Sequence, residues 1–302
     1  VRTSIGAYPL APAMTRHLLT GRELDRATLG ALLDRALVLK AEPRSSRALA
    51  GTVIALLFEK PSTRTRLSYE AGVVELGGHP LILRPDEMQL SRGESVKDTA
   101  RILSSHVQAI GVRTGPDERL EQLAAEGTIP VFNMLTDGHH PSQALADLLT
   151  LRETFGTLDG LKLAYVGDGN NVARSLAILG RAAGVEVVVS SPPGLELDGE
   201  EGAILITDPA EAVAGADAVY ADVWIGMTEP DAEAKRATLV PYRVDEELLA
   251  KASDRAVVMH CLPAHPGEEI SEGALYGERS VVFDQAENRL HAQKALLEEL
   301  VD

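Results

Sequence analysis

Residues 52–66 constrain the fold of this chain more than any other stretch of its sequence. Within them, residues 53–58 form an uninterrupted apolar run of the length of a short strand. Because the run lacks polar alternation, it predicts a strand that is buried on both faces, as in a parallel sheet. Pro61 then ends the strand, and Ser62 is a favourable N-cap for a helix that follows.

That helix is predicted over residues 66–76, with Leu67, Ala71 and Val74 on one apolar face. Residues 62–65, Ser-Thr-Arg-Thr, lie where it begins, and the free N–H groups of a helix N-terminus favour an anion. Hydroxyls and a guanidinium add donors that match phosphate oxygens. The segment therefore predicts an anion site, and the alternative is a capped helix with two surface arginines.

Strands alternate with helices along the rest of the chain, which predicts crossover connections and parallel sheets. In the first half, helices are predicted over residues 24–40, 94–105 and 118–126, with strands over 80–83, 107–113 and 128–133 and a loop over 86–93. The second half has predicted helices over 142–154, 172–183, 208–214, 245–251 and 288–301, and strands over 162–167, 185–190, 204–207, 218–224, 256–260 and 280–283. The predicted class is α/β, with two doubly wound parallel-sheet domains joined by interdomain helices.

Composition excludes several classes of protein. The 302 residues are 45% hydrophobic and 25% charged, as in ordinary globular proteins, and the net charge of −16 argues against nucleic acid or an acidic membrane as a partner. A single cysteine, Cys261, cannot form an internal disulfide or a cysteine-based metal cluster. Residues 1–9 lack the apolar core of a signal peptide, so a cytoplasmic location is expected.

The segment Phe-Glu-Lys-Pro-Ser-Thr-Arg-Thr-Arg at residues 58–66 resembles the carbamoyl-phosphate signature of the aspartate/ornithine carbamoyltransferase family. The resemblance implies that Ser62, Thr63, Arg64 and Thr65 bind carbamoyl phosphate. It also implies a carbamoyl-phosphate domain over residues 1–141, to which the C-terminal helix 286–302 returns, and an amino-acid domain over 142–285.

Candidate residues follow strands of the first half directly, where a doubly wound sheet binds ligands. Arg113 ends one strand, and His140 opens His-Pro-Ser-Gln after another. Taken alone, Arg113 could be a surface residue and His140 a structural one. The second segment resembles the family's His-Pro-x-Gln signature, which implies that Arg113 and His140, with Thr65, hold the carbonyl oxygen of carbamoyl phosphate. The same resemblance places Gln143 at the carbamoyl amide.

The turn at residues 167–173 follows a strand and opens a helix, as a nucleotide-binding turn does. It lacks the third glycine of the dinucleotide fingerprint, and no acidic residue ends the next strand, so NAD binding is disfavoured. Resemblance instead implies that Asn171, with Asn170 beside it, meets the α-carboxylate of an amino acid.

Asp222 also follows a strand, where it could simply terminate that strand. Its segment resembles the family's ornithine-specific loop Asp-x-x-x-Ser-Met-Gly, in which the aspartate anchors the substrate α-amino group. Asp222 and Met227 match this loop, whereas Gly226 replaces the usual serine and Thr228 the usual glycine. These departures open the question of which amine is the substrate.

The tetrapeptide His-Cys-Leu-Pro at residues 260–263 resembles the ornithine branch of the family. A lone buried cysteine is usually inert packing. The resemblance places Cys261 near the substrate's side-chain amine and the Leu262 backbone at the carbamoyl nitrogen. It also implies that Arg289 meets carbamoyl phosphate. Gln89, in the predicted loop, matches a residue that reaches into a neighbouring subunit's site, which implies a homotrimer with shared active sites.

The resemblance thus implies transfer of the carbamoyl group to the δ-amine of L-ornithine, a step of arginine biosynthesis that needs no metal or organic cofactor. Arg113, His140 and Cys261 are the expected catalytic residues. Carbamoyl phosphate is expected to contact Ser62, Thr63, Arg64, Thr65, Gln89, Arg113, His140, Gln143, Cys261, Leu262 and Arg289, and ornithine to contact Asn171, Asp222, Gly226 and Met227. The alternatives are a carbamoyltransferase for another amine or an acylated ornithine, a nucleotide-binding oxidoreductase, and a catalytically silent binding subunit.

Overall fold

The computed structural model describes residues 16–197, 201–226 and 231–301, which form two parallel sheets. The first sheet has the strand order β2-β1-β3-β4. Its strands are β1 (Val53–Phe58), β2 (His79–Leu83), β3 (Ala109–Arg113) and β4 (Val131–Leu135), and the helices of this half are α1 (Arg26–Ala41), α2 (Thr63–Glu75), α3 (Val96–Ser104) and α4 (Asp117–Glu126). Two short 3-10 helices, Pro85–Glu87 and Gln89–Arg92, fill the predicted loop.

The second sheet has the order β7-β6-β5-β8-β9 and is also parallel throughout its described strands. Its strands are β5 (Lys162–Val166), β6 (Glu186–Ser190), β7 (Ile204–Leu205), β8 (Ala218–Ala221) and β9 (Val257–His260). The remaining helices are α5 (Pro141–Phe155), α6 (Asn171–Ala183), α7 (Pro209–Val213), α8 (Ala232–Leu239), α9 (Glu246–Leu249), α10 (Glu272–Tyr276) and α11 (Val282–Val301). The predicted α/β class with two parallel sheets is confirmed. None of the described helices is long and apolar enough to cross a membrane.

Each sheet reverses its strand order once, and the reversals position the functional residues. In the first sheet the order turns between β1 and β3, where Phe58 pairs with Arg113. In the second sheet it turns between β5 and β8. Open parallel sheets bind ligands in the crevice beyond the carboxyl ends of strands at such a point. We call the positions beyond these strand ends the first crevice, at β1 and β3, and the second crevice, at β5 and β8.

A layer of helices joins the two halves. Helix α11 packs against α1, α2 and α5, and α5 also packs against α1 and α6. One buried apolar cluster runs through this layer and includes Leu56 of the first sheet, Leu149 of α5, Tyr165 of the second sheet and Leu296 of α11. Because the cluster is continuous, burial of this apolar surface stabilises both the sheets and their mutual arrangement.

The predicted apolar face of α2 is wrong. Leu67 and Val74 are 63% and 59% exposed, and Ala71 is exposed as well. The helix instead buries Tyr69 and Gly72, and at Gly72 a Cβ would lie 3.2 Å from the Lys294 side chain of α11. Close packing against α11 therefore selects the small residue at this position, and Leu67 and Val74 face outward.

The prediction of a strand over residues 280–283 is also wrong. Ser280 makes only an isolated bridge to Val258, and Val282 already begins α11, earlier than the predicted start of the last helix. Strand β8 ends at Ala221 rather than at 224, and β4 is shifted to Val131–Leu135. Helices α8 and α10 had no counterpart in the prediction, because both are short and lie among polar residues.

Lys294 of α11 is fully buried and has three acceptors. Its Nζ donates to the Glu75 carboxylate at 2.6 Å, to the Pro43 carbonyl at 2.7 Å and to the Leu39 carbonyl at 3.3 Å. The ammonium thus ties α11 to α2 and to the end of α1. Removal of the Lys294 ammonium alone is therefore costly in folding free energy, because the acceptors around it remain without a donor.

We expect Lys294→Met to lower the free energy of unfolding by about 3 kcal/mol or more, because the Leu39 and Pro43 carbonyls and the Glu75 carboxylate lose their common donor. Denaturant unfolding measures the change. The matched control is Lys97→Met, which removes a side chain that is 51% exposed and paired with Glu126. This control should change the free energy by less than about 1 kcal/mol. Equal effects of the two variants would contradict a structural role for the buried ammonium.

Candidate active site

The N-terminus of α2 carries hydroxyl and guanidinium donors and no acidic residue in its first turn. Ser62 is the N-cap, with its hydroxyl accepting from the Thr65 backbone N–H at 3.3 Å. The first turn contains no acidic residue, so the positive end of the helix dipole is not offset locally. Thr65 is buried, whereas Thr63 is exposed and Ser62 and Arg64 are half-buried.

Three guanidinium groups converge at the first crevice. Burial, then the charges of Arg289 and Arg64, lower the pKa of Arg113 to about 10. Burial and the Arg64 charge likewise lower the pKa of Arg289. The Nε atoms of Arg113 and Arg289 have no hydrogen-bond partner within the described part of the chain. Like charges held together in a partly dry crevice repel one another, and an anion bound between them would relieve that repulsion.

His140 lies beside this cluster as a neutral side chain. It precedes Pro141, the first residue of α5, and its backbone N–H donates to the Ser175 hydroxyl of α6 at 2.7 Å. Burial, then the Arg289 and Arg113 charges, hold the pKa of His140 well below its usual range. Its Nδ1 atom has no partner among the described residues. A neutral imidazole in this place can act as a hydrogen-bond donor but not as a resident cation.

Arg289 reaches the cluster from α11 and is oriented by two residues of other helices. Its Nη2 donates to the Thr65 hydroxyl, and its Nη1 donates to the Gln143 side-chain oxygen at 2.9 Å. Gln143 in turn donates from Nε2 to Asp147 at 2.8 Å. The same carboxylate accepts from Gln285 Nε2 at 2.7 Å. These residues are almost fully buried, so the guanidinium plane is fixed by bonds that water does not compete for.

The second crevice carries the residues that follow β5 and β8. Asn170 caps α6, accepting from the N–H groups of Val172 and Ala173. Its amide also donates to the Asp222 carboxylate at 2.7 Å. Asn171 donates to the Thr136 carbonyl of the first half at 2.6 Å. The two asparagines therefore differ in role, since Asn170 organises the turn and Asn171 spans the crevice.

The Asp222 carboxylate accepts hydrogen bonds from three groups: the Cys261 thiol at 2.8 Å, the Asn170 amide at 2.7 Å and the Val223 backbone N–H at 2.7 Å. The thiol donates to Oδ1 of this carboxylate. Desolvation, then the Asp222 charge, hold the pKa of Cys261 well above its usual range. Cys261 is therefore a thiol that orients the carboxylate rather than a thiolate nucleophile.

A tight corner follows β9 and presents the Leu262 backbone. Leu262 has φ of 58°, a left-handed conformation that is sterically unfavourable for leucine. Its N–H donates to His260 Nδ1 at 2.8 Å, and His260 Nε2 lies 3.2 Å from the Glu269 carboxylate. Since Nδ1 accepts, Nε2 must carry the proton, and the fully buried Glu269 fixes this tautomer.

The structure does not bring every predicted residue into these crevices. Gln89 is exposed on its 3-10 helix and makes no hydrogen bond with any other predicted site residue in the described ranges. Gly226 is exposed, and no atom of the described residues lies within 4 Å of where its Cβ would stand. Met227 lies outside the described residues. Among the described side chains no group of three or more His, Cys, Asp or Glu residues is arranged to hold a metal ion.

Comparisons with known proteins match both halves of the chain. Residues 16–153 match the carbamoyl-P binding domain of aspartate/ornithine carbamoyltransferases, and residues 159–300 match the Asp/Orn binding domain. The chain belongs to the aspartate/ornithine carbamoyltransferase family. The first sheet falls within the first matched segment, and the second sheet falls within the second.

Three relatives in this carbamoyltransferase family illustrate the likeness. The ornithine carbamoyltransferase of Parafrankia sp. is 52% identical over 307 residues, covering 95% of this chain and 96% of the relative. The crystal structure of ornithine carbamoyltransferase from Thermus thermophilus has a TM-score of 0.89 at 45% identity, covering 95% of this chain and 99% of that one. A structure of an N-acetyl-L-ornithine transcarbamylase variant has a TM-score of 0.85 at 32% identity, covering 95% and 100%.

Sequence reasoning missed the buried partners of the predicted residues. Asp147 lies four residues after Gln143, a spacing that places both on one face of a helix and could have indicated the pair. Gln285 gave no such signal, because Asp147 lies 138 positions away. Glu269 meets His260 across an irregular segment, where no helix or strand period indicates a contact. Ser175, which accepts from the backbone of His140, is likewise visible only in the folded carbamoyltransferase.

Asp147 yields a pH prediction. Burial raises the pKa of Asp147 from 3.8 to about 7, so the folded chain keeps a proton that the unfolded chain has already released within this window. The free energy of unfolding therefore falls as pH rises from about 4 to 7. Asparagine does not titrate, so Asp147→Asn should gain stability relative to the wild type by roughly 2–3 kcal/mol between pH 5 and pH 8.

Denaturant unfolding of both proteins at several pH values measures this difference. The matched control is Asp254→Asn, which alters a carboxylate on an exposed loop and should change the free energy of unfolding by less than about 0.5 kcal/mol. A constant difference between Asp147→Asn and the wild type would show that Asp147 keeps its ordinary pKa despite burial.

Proposed function

We propose that the chain transfers the carbamoyl group of carbamoyl phosphate to the δ-amine of L-ornithine, with L-citrulline and phosphate as products. The observation that carries the proposal is the convergence of Arg64, Arg113 and Arg289 at the N-terminus of α2. Their mutual repulsion is the electrostatic signature of a site made for a dianion. This site lies where the strand order of the first sheet reverses.

In the proposed site, phosphate oxygens take donors from Ser62, Thr63, Arg64 and Arg289. The carbonyl oxygen points to Thr65, Arg113 and His140. Attack on the carbonyl carbon places negative charge on that oxygen, and preorganised donors stabilise it by a few kcal/mol each, about 3 kcal/mol for a well-placed one. The neutral His140 fits this role, since it can donate without adding to the repulsion among the guanidinium groups.

The amine comes from the second crevice. Its α-carboxylate meets Asn171 and its α-ammonium meets Asp222, with Gly226 and Met227 in the loop that follows. The neutral δ-amine attacks the carbonyl carbon, the bond from that carbon to the phosphate oxygen breaks, and the amine loses a proton. Cys261 orients Asp222, and the Leu262 backbone faces the carbamoyl nitrogen together with Gln143.

Two further parts of the proposal concern organisation. Residues 1–141 and the C-terminal helix form the carbamoyl-phosphate unit, and residues 142–285 form the amino-acid unit. The active form is a homotrimer in which Gln89 enters the neighbouring site. Exposed Leu67 and Val74 on α2 support an oligomer, because a second subunit would bury apolar surface beside the site. We also propose a cytoplasmic location, because the sequence contains a single cysteine.

A nucleotide-binding oxidoreductase is disfavoured by the turn after β5. A dinucleotide would place its pyrophosphate on the N–H groups at the start of α6. The side chain of Asn170 already accepts from Val172 N and Ala173 N there. At Gly169 a Cβ would lie 2.3 Å from Leu197 N, so this glycine accommodates a neighbouring backbone and not a ligand.

Arg64→Ala tests the anion site. We expect kcat/KM for carbamoyl phosphate to fall, because a donor to the phosphate is lost. The decrease should correspond to a loss of about 2–4 kcal/mol in transition-state stabilisation. Citrulline formation at varied carbamoyl phosphate measures it. Arg101→Ala is the matched control, since this arginine lies on α3 with a single ion pair, to Glu126 at 3.7 Å, and should leave turnover unchanged. Normal turnover in Arg64→Ala would mean that the anion site is assigned wrongly.

Gly226→Ser tests the identity of the amine. With ornithine as substrate, a serine hydroxyl should add one hydrogen bond of roughly 0.5–1.5 kcal/mol and lower the KM for ornithine, with little change for carbamoyl phosphate. An acylated ornithine needs the open space at Gly226, so the same substitution should then reduce activity. Ornithine, N-acetylornithine and putrescine are compared on both proteins. Turnover of N-acetylornithine alone would replace the proposed amine and leave the carbamoyl-phosphate half intact.

Complementation tests the shared site. Gln89→Ala and Arg289→Ala subunits should each be poorly active, since every trimer interface then lacks one of the two residues. Mixed trimers made by refolding both together contain some sites with Arg289 from one subunit and Gln89 from the next, so activity should reappear. Each variant refolded alone is the control. Mixtures that are no more active than the parents would exclude a site shared in this way.

A further inference from the structure

A buried carboxylate lies between two glutamines that serve opposite halves of the site. We propose that Asp147 is a positioning residue, which fixes the amide orientations of Gln143 and Gln285 and so couples the anion crevice to the corner at residues 260–262. The inference rests on the proposed carbamoyl transfer for its kinetic readout. Its structural basis is a hydrogen-bond chain that runs from Thr65 at the start of α2 to His260 at the end of β9.

The geometry at the carboxylate is closely defined. Gln143 Nε2 and Gln285 Nε2 both donate to Asp147 Oδ1, at 2.8 and 2.7 Å. The Tyr220 hydroxyl lies 3.3 Å from Oδ2 and also accepts from Gln285 at 3.1 Å. Asp147 and Gln285 are completely buried and Gln143 is 1% exposed. Water cannot replace any partner, so each amide takes its orientation from the carboxylate.

An amide has a donor end and an acceptor end, and Oδ1 of Asp147 is an acceptor both in the carboxylate and in the carboxylic acid that carries its proton on Oδ2. Asp147 therefore turns the NH₂ ends of both glutamines toward itself and their oxygens away. The freed oxygen of Gln143 accepts from Arg289 Nη1 at 2.9 Å. The freed oxygen of Gln285 accepts from the His260 backbone N–H at 2.9 Å. One carboxylate thus sets two acceptors that point in different directions.

Each acceptor holds a part of the proposed site. Arg289, held by Gln143, also donates to Thr65 and so reaches the start of α2. The N–H of His260, held by Gln285, fixes the end of β9, from which the Leu262 corner departs. A flipped Gln143 would set its NH₂ against the Arg289 guanidinium, donor against donor, and displace a group that binds the phosphate.

Three substitutions distinguish the loss of amide orientation from the loss of side-chain volume. In Asp147→Asn the amide oxygen can take the place of Oδ1 and keep both glutamine bonds, while its NH₂ faces the Tyr220 oxygen. Asp147→Ala removes the acceptor, so both glutamine NH₂ groups must find other partners. Gln285→Met keeps the length of the side chain but loses the bonds to Asp147 and to His260. A merely structural carboxylate would change stability in these variants without a selective kinetic effect.

The experiment measures steady-state kinetics of carbamoyl transfer in the full-length chain. Residues that hold a ligand-binding side chain in place typically contribute on the order of 10- to 100-fold to affinity or activity. For Asp147→Ala and Gln285→Met we expect losses of this size in kcat/KM for carbamoyl phosphate, with the KM for ornithine within about twofold of wild type. Asp147→Asn should restore activity to within about fivefold of wild type.

Three results would overturn the inference. The first is a folded Asp147→Ala, or a folded Gln285→Met, with unchanged kcat/KM for carbamoyl phosphate. The second is an equal loss for both substrates. The third is an Asp147→Asn variant that loses about tenfold or more in kcat/KM for carbamoyl phosphate relative to wild type. Because asparagine is nearly isosteric with aspartate, this arm remains decisive even if the other variants fail to fold.

Failure of the proposed function gives a different pattern. In that case the wild type itself transfers no carbamoyl group to any amine tested. Calorimetric binding of inorganic phosphate then replaces the kinetic readout, with the same ranking of wild type, Asp147→Asn and Asp147→Ala expected. Equal phosphate affinity in all three proteins would reject the positioning role independently of the reaction.

Discussion

Repulsion among Arg64, Arg113 and Arg289 is the constraint on which the rest of this structure depends. Buried like charges are unfavourable, and burial together with the neighbouring charges lowers the pKa of Arg113 to about 10. The folded chain holds them together because each belongs to a different element, at the start of α2, at the end of β3 and within α11. Packing in the sheet and the helical layer keeps these elements in place despite the repulsion. A bound dianion would reduce that repulsion, and the free energy so released would contribute to its affinity.

The helical layer buries both apolar side chains and a few ionisable ones. Its apolar cluster is continuous between the two sheets, while Lys294, Arg289 and Asp147 lie buried within it. Each of these charged groups has hydrogen-bond partners, as burial requires. Lys294 joins helices away from the crevices, whereas Arg289 and Asp147 belong to a chain of bonds between them. Burial removes competing water, so a small change at one carboxylate is transmitted through fixed amide orientations to both crevices.

Much of the fold could be predicted from local patterns, because an apolar run such as β1 and a polar turn after it have recognisable periods. The anion site at residues 62–65 could be predicted from the same stretch, because a helix N-terminus rich in donors is a local feature of the sequence. Side-chain partnership could not be predicted, because Gln285 meets Asp147 across 138 positions of sequence. The outward face of α2 was misjudged for a related reason: Gly72 packs against Lys294, and only the tertiary contact shows which face is buried.

The two crevices differ in how completely they are formed, and this difference bears on specificity. Thr65, Arg289 and Gln143 are buried and bonded to one another, so the anion crevice needs little rearrangement. In the other crevice Asp222 already accepts from three donors, so a substrate ammonium bound there as proposed would share that carboxylate with them. Gly226 leaves open space nearby. Under the proposed assignment, selection among amines would therefore rest on groups that adjust around the α-substituents, whereas recognition of carbamoyl phosphate would be set by charges that the fold has already placed.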